Sequence, residues 1–168
     1  ASLTADIIIS TGGVSVGDAD HTKTALKQSG QVDFWKIAIK PGRPLAFGHI
    51  GPSVFFGLPG NPVAVMVTFY QFVLPALEAM LGIKDKAIAP TLQVKATENI
   101  RKLAGRTEVI RGILQQTDGI WSVKTTGKQG SGILRSMSLA NTFIILEHER
   151  STIKIGDLVT VQPFSGLF

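Results

Sequence analysis

The 168-residue chain contains no cysteine. Disulfide frameworks, cysteine-ligated zinc and cysteine nucleophiles are thereby excluded. Histidine is scarce, and His21, His49 and His148 lie far apart without metal-ligand spacing. Aromatic residues make up only 7%, and no run of Lys or Arg exceeds two. A basic groove interleaved with stacking rings, as single-stranded nucleic acid requires, is therefore not suggested. No signal or transit peptide is visible. The most apolar stretch, Val63–Leu81, is interrupted by Thr68, Gln71, Pro75 and Glu78. It reads as a buried helix rather than a membrane span. A cytoplasmic protein that binds neither nucleic acid nor membrane is expected.

Hydrophobic residues reach 44%, enough for a core in one ordinary domain or two small ones. The formal charge is +5, unevenly placed. Residues 1–84 hold 6 Lys+Arg against 5 Asp+Glu, net +1, and residues 85–168 hold 11 against 7, net +4. An anionic small ligand or partner is the natural use of that excess.

Ile7-Ile8-Ile9 is a β-branched run that reads as a strand buried on both faces, as in a parallel sheet. The loop Gly12–Asp20 follows, then a helix Thr22–Ser29 that Asp20 could cap and Gly30 would end. Phe34–Lys40 alternates as a single strand with Lys36, Ala38 and Lys40 on one side. Leu45–Ile50 and Val54–Leu58 read as strands joined through Gly51-Pro52. Asn61 as N-cap and Pro62 as first residue then open the helix Val63–Leu81, with Pro75 kinking it or marking its last turn. After a polar linker at Lys84–Pro90 the pattern turns to short strands: Thr91–Thr97, Glu108–Gln115, Ile120–Thr125, Asn141–Glu147 and Leu158–Gln162. Asp118-Gly119 is a strong hairpin signal. The expected architecture is an α/β three-layer domain over 1–84, present in part, followed by a small all-β barrel-like domain over 90–168.

Two loops carry the chemistry. Thr11-Gly12-Gly13 with Ser15 and Gly17, and Pro59-Gly60-Asn61-Pro62, each follow an apolar strand and lead toward a helix. Glycine there lets backbone N–H groups approach a phosphate, and the helix start adds partial positive charge. Each loop alone could equally be a tight turn. Lys36 and Lys40 on one strand face suggest an oxyanion pocket, or else a solvated edge. Asp18 and Asp20 could face Mg²⁺ bridged to phosphate oxygens, or serve as turn residue and cap. Arg111 sits in a strand, and Gly127–Gly132 is a polar loop that could close over an anion or simply connect barrel strands.

Taken together, Thr11–Asp20, Phe34–Gly42 and Gly57–Val63, followed by Arg111-Gly112, Thr125–Gly127, Gln129–Ser131 and Pro163-Phe164, resemble the molybdopterin molybdenumtransferases. This is the MoeA family, which includes the gephyrin E domain, and the resemblance covers essentially the whole chain. It implies insertion of molybdenum from molybdate into adenylylated molybdopterin, with Mg²⁺ and with release of AMP. It implies that Asp20 is catalytic or metal-linked, that Lys36 and Lys40 bind molybdate or phosphate, and that the Pro59–Pro62 loop holds the pterin side. Arg111 and Ser131 would contribute from the barrel domain.

Asp18, His21 and Arg43 stand where the family often has Glu, Tyr and Lys. The family's pterin domain begins several tens of residues earlier and is preceded by dimerisation domains. The chain is therefore expected to be a fragment, inactive alone, of a homodimer that could also meet the molybdopterin adenylyltransferase. An adenylyltransferase-like enzyme is disfavoured by the barrel-like second half. A non-catalytic anchoring module of gephyrin type is the other alternative.

Overall fold

The computed structural model describes residues 4–12, 28, 30–83 and 90–164, the side chain of Phe34 excepted. The chain divides into two compact units: Ala1–Ile37 with Pro41–Gly82, and Ala38–Lys40 with Ile83–Phe168.

The first unit is built on a four-stranded sheet ordered β1-β5-β4-β2: β1 (Ile7–Thr11), β2 (Gln31–Lys36), β4 (Pro44–Ile50) and β5 (Ser53–Leu58). β1 runs parallel to β5, whereas β4 is antiparallel to both β5 and β2. The sheet is thus mixed, and β1 lies at its edge among the described residues, with Ile9 40% exposed. The isoleucine run read as doubly buried is in fact half-buried, because apolar composition alone does not distinguish an edge strand from a central one. One face packs Leu45, Phe56 and Leu58, with Ile7 and Val54, against Val73, Phe69, Phe72 and Leu77 of the following helix. The opposite face buries Val32, Ala46 and Phe55 with Ile8 and Ile50. Burying each such side chain contributes about 1.5–3 kcal/mol.

That helix runs from Pro62 to Met80. It comprises α1 (Pro62–Thr68), a π-helical stretch Phe69–Val73, and α2 (Leu74–Met80). Pro75 explains the wider turn: its ring would collide with a carbonyl one α-turn back, and it has no N–H to offer there. Asn61 takes extended N-cap geometry (φ −80°, ψ 125°) but makes no side-chain cap bond. By length and composition the helix could cross a bilayer. Its sheet-facing residues Val63, Val67 and Val73 are, however, fully buried.

The second unit is a closed five-stranded barrel. Its strands are β6 (Leu92–Ala96), β7 (Thr107–Thr117), β8 (Ile120–Thr125), β9 (Thr142–Leu146) and β10 (Leu158–Pro163), in the order β7-β8-β6-β10-β9 with β9 pairing back to β7. Closure leaves these strands no long open edge. Val94, Ile110, Leu114, Val123, Ile144, Val159 and Val161 fill the interior. Asp118 (φ 51°) and Gly119 (φ 79°) make the expected tight hairpin between β7 and β8. A short helix α3 (Arg135–Leu139), unmarked by any sequence pattern, precedes β9.

One strand differs from the sequence reading in a consequential way. Phe34–Lys40 is not continuous: β2 ends at Lys36, and Ile39–Lys40 forms a separate strand, β3, parallel to the start of β7 in the second unit. The Ile37 N–H donates to the Arg43 carbonyl (2.9 Å), closing off the first sheet, while the Ala38 carbonyl accepts from Thr107 N–H (2.9 Å). Period-two alternation survives such a jump, because it reports which way side chains face and not which sheet a strand joins.

Candidate anion-binding site

In the first unit, parallel β1 and β5 deliver their carboxyl ends side by side. Gly12 N–H donates to the Leu58 carbonyl at 3.0 Å, and Gly12 adopts φ 81°, a left-handed conformation that favours glycine. A Cβ on Gly60 would stand 3.5 Å from Gly12 Cα, in ordinary contact, so the two loops abut. Pro59 is buried, Gly60 and Pro62 are exposed, and the Asn61 carbonyl accepts the Val65 N–H that starts the helix (2.9 Å). This is the carboxyl end of two adjacent parallel strands, where a glycine-bearing loop meets a helix start, the kind of place at which α/β sheets bind anions.

Lys36 belongs to the same end. Ser10, Gly57, Ala46 and Phe34 form one row across the sheet. β1, β5 and β2 run in one direction, so two residues further on they reach Gly12, Pro59 and Lys36 at a common level. Two strand spacings separate Lys36 from Pro59, about 10 Å. Thr11 is exposed at the tip of β1. The structure therefore gathers Thr11, Gly12, Pro59, Gly60, Asn61, Pro62 and Lys36. Gly13, Ser15, Gly17, Asp18 and Asp20 lie outside the described residues.

Lys40, expected beside Lys36 on one strand face, is instead a residue of the second unit. Its Nζ donates to both oxygens of Glu108 (3.1 and 3.2 Å), and Arg106 Nε lies 3.6 Å from the same carboxylate. Arg111 falls three residues past Glu108 along β7, on the other face of the strand. It is 1% exposed. Its Nε donates to Ser136 Oγ (3.0 Å) and its Nη2 to the Gly130 carbonyl (3.1 Å). The Gln129 amide brackets its backbone, accepting from Arg111 N–H (2.9 Å) and donating to Arg111 O (3.1 Å). Burial lowers the Arg111 pKa by desolvation. Arg111 thus folds residues 127–136 against β7, and Ser131 stands exposed on that loop. Glu108, Arg106 and Ser136 were missed from sequence, whereas Gln129 was named only within the Gly127–Gly132 loop and the Gln129–Ser131 motif. Arg106-x-Glu108 left a signal, the two-residue spacing that puts side chains on one side of an extended chain.

Among the described residues no cluster of three His, Asp or Glu side chains could hold a metal. Asp18 and Asp20, which carry the magnesium expectation, lie outside the described residues.

Both parts of the chain match known protein families. Residues 1–79 match the family described as "Probable molybdopterin binding domain", and residues 93–164 match "MoeA C-terminal region (domain IV)". The molybdopterin molybdenumtransferase of Haemophilus influenzae is 45% identical over 99% of this chain and 42% of its own length. The chain belongs to the MoeA family. Gephyrin of Dictyostelium discoideum is 34% identical over 94% of this MoeA-family chain and 25% of its own length. The crystal structure of the molybdopterin biosynthesis moeA protein from Pyrococcus horikoshii OT3 superposes with a TM-score of 0.70 at 27% identity, covering 95% of this chain and 35% of that one. The chain spans about two-fifths of the Haemophilus relative it matches.

Proposed function

We propose that the full-length protein inserts molybdenum from molybdate into adenylylated molybdopterin. The adenylyl bond is hydrolysed in this reaction: water adds its oxygen to phosphorus, the bond to the pterin phosphate breaks, and AMP leaves. One observation carries the reading. The Gly12 and Pro59–Pro62 loops abut at the carboxyl ends of parallel β1 and β5, with Lys36 at the same level. That arrangement suits a terminal phosphate, with loop N–H groups and the helix start as donors. Lys36 in the first unit and Lys40 in the second are each proposed to contact oxyanion, and Asp20 to supply the carboxylate that catalysis or Mg²⁺ needs. Arg111 is proposed to act through the loop bearing Ser131. The same reading implies a cytoplasmic homodimer that receives its substrate from molybdopterin adenylyltransferase.

Charge-assisted contacts are worth roughly 1.5–3 kcal/mol, so Lys36→Ala or Lys40→Ala should raise the KM for molybdate on the order of 10- to 100-fold. The pterin KM should move far less with Lys40→Ala. A molybdate KM unchanged in both variants, assayed as molybdenum-dependent cofactor formation by the full-length enzyme, would remove the lysines from the site. Asp20→Asn tests the carboxylate. Asn keeps a capping oxygen, whose loss to alanine costs about 1 kcal/mol. The expected outcome is an unchanged melting temperature with activity collapsed. Retained activity would return Asp20 to a structural role.

A further inference from the structure

Lys40 already has an anion. Glu108, with its side chain 8% exposed, chelates the Lys40 ammonium through both carboxylate oxygens at 3.1 and 3.2 Å. Arg106 stands 3.6 Å from the same carboxylate, and both cations remain 48% exposed. The arrangement follows from the strands. Lys40 and Glu108 are register partners of β3 and β7, and Arg106 precedes Glu108 by two residues. Glu108 shares its strand face with Ile110 and Leu114, which lie in the barrel core. A carboxylate this buried keeps its charge at low cost only when cations meet it, and here two do. The three side chains therefore carry one net positive charge, with the carboxylate inside and the cations facing water.

We propose that Lys40 and Arg106 form a two-cation oxyanion site for which Glu108 is the built-in counter-ion. This rests on the reading that Lys40 contacts oxyanion, and it adds two residues to that reading. A tetrahedral oxyanion takes the outward donors of the ammonium and the guanidinium, while Glu108 retains the inner ones. Glu108 then repels the ligand and lowers its affinity. A site so tempered would release an anionic product readily.

Glu108→Gln tests this, because the amide keeps the shape and one acceptor for Lys40 while it removes the charge and the second acceptor. Coulomb repulsion scales with ligand charge, so the logarithm of the gain for a dianion should be twice that for a monoanion. In the full-length protein, calorimetric titration at fixed ionic strength should show molybdate binding about tenfold tighter and nitrate about threefold tighter than in wild type. Mere structural damage weakens binding and cannot produce that pair of gains. Arg106→Gln should do the reverse, weakening molybdate about tenfold and nitrate about threefold. It also carries the test if Glu108→Gln loses its circular-dichroism signature of folding. Unchanged or weaker molybdate binding in folded Glu108→Gln, or unchanged binding in Arg106→Gln, overturns the counter-ion proposal alone, provided Lys40→Ala still loses binding. Unchanged binding in Lys40→Ala overturns both this proposal and the assignment of Lys40 to the site.

Discussion

Gly48→Ala should destabilise the first unit by about 3 kcal/mol, the upper end of what overpacking usually costs, because the clash is with something that cannot yield. The cause is backbone against backbone. A Cβ on Gly48 would land on the Gln31 carbonyl oxygen, 2.8 Å from Val32 Cα and 2.9 Å from Gln31 C. Gly30 is the reciprocal case, its Cβ meeting the His49 carbonyl oxygen and lying 2.9 Å from Ile50 Cα. β2 and β4 thus pass each other at two bare positions, and neither glycine needs a left-handed φ to explain it. A side-chain clash could be relieved by a rotamer change, but here a strand must move. Because Val32, Ala46 and Phe55 pack together on one face of these strands, moving one opens that core.

The two tryptophans make the measurement clean. Trp35 reports β2 in the first unit and Trp121 reports β8 in the second. In a Trp121→Phe background, denaturant unfolding followed by Trp35 fluorescence should shift its midpoint steeply downward on adding Gly48→Ala. Gly60→Ala is the control within the same unit: its Cβ would stand in ordinary contact, 3.5 Å from Gly12 Cα, with no left-handed φ, and it should stay within about 0.5 kcal/mol. A Gly48→Ala midpoint as close to wild type as the control would show that the strands do not approach as described.

What could be read from the sequence was local. The Gly51-Pro52 connection, the Asp118-Gly119 hairpin and the helix opening at Pro62 all have short-range chemical causes, and each was visible as a dipeptide. The two glycine-bearing loops that follow β1 and β5 were visible for the same reason, although a glycine cluster alone does not separate an anion cradle from a tight turn. What stayed hidden depends on partners distant in sequence. Nothing in Ile37–Lys40 announces that Lys40 will pair with a strand starting 67 residues later, at Thr107. Nothing in the alternation of Pro44–Ile50 marks Gly48 as the place where a neighbouring carbonyl fills the space of a side chain. Arg111 was singled out by resemblance, but its burial was not legible. A lone arginine in an apolar strand looks the same whether it faces solvent or lies under a loop.

Arg111→Lys should be more damaging than Arg111→Met, although lysine keeps the charge. The guanidinium is held by Ser136 Oγ and the Gly130 carbonyl, with no carboxylate among its described partners, so its charge is buried on hydrogen bonds alone. Lysine would bury the same charge without the planar fork that reaches both acceptors, at a cost of about 3 kcal/mol. Methionine would fill much of the same volume, remove the desolvation penalty and give up only the two bonds, at about 1 kcal/mol. Alanine would lose the bonds and leave a cavity, at about 3–4 kcal/mol. Ser136 Oγ would still donate to the Ile133 carbonyl (2.6 Å), so α3 should survive while residues 127–132 loosen. Hydrogen exchange should show that loosening in all three variants. The pH dependence gives a second signature. A base whose folded pKa lies below its unfolded value destabilises at every pH below the folded pKa, and that penalty fades as pH rises through it, because the unfolded chain then binds more protons. For arginine this window lies beyond the working range. For lysine, with an unfolded pKa of about 10.4, it lies within reach. Arg111→Lys should therefore regain stability relative to wild type between about pH 8 and pH 10, while Arg111→Met should hold a constant offset. Trp121 fluorescence in a Trp35→Phe background would follow both curves. If Arg111→Lys proved milder than Arg111→Met and flat with pH, the guanidinium would not be buried, and the loop bearing Ser131 would need another anchor.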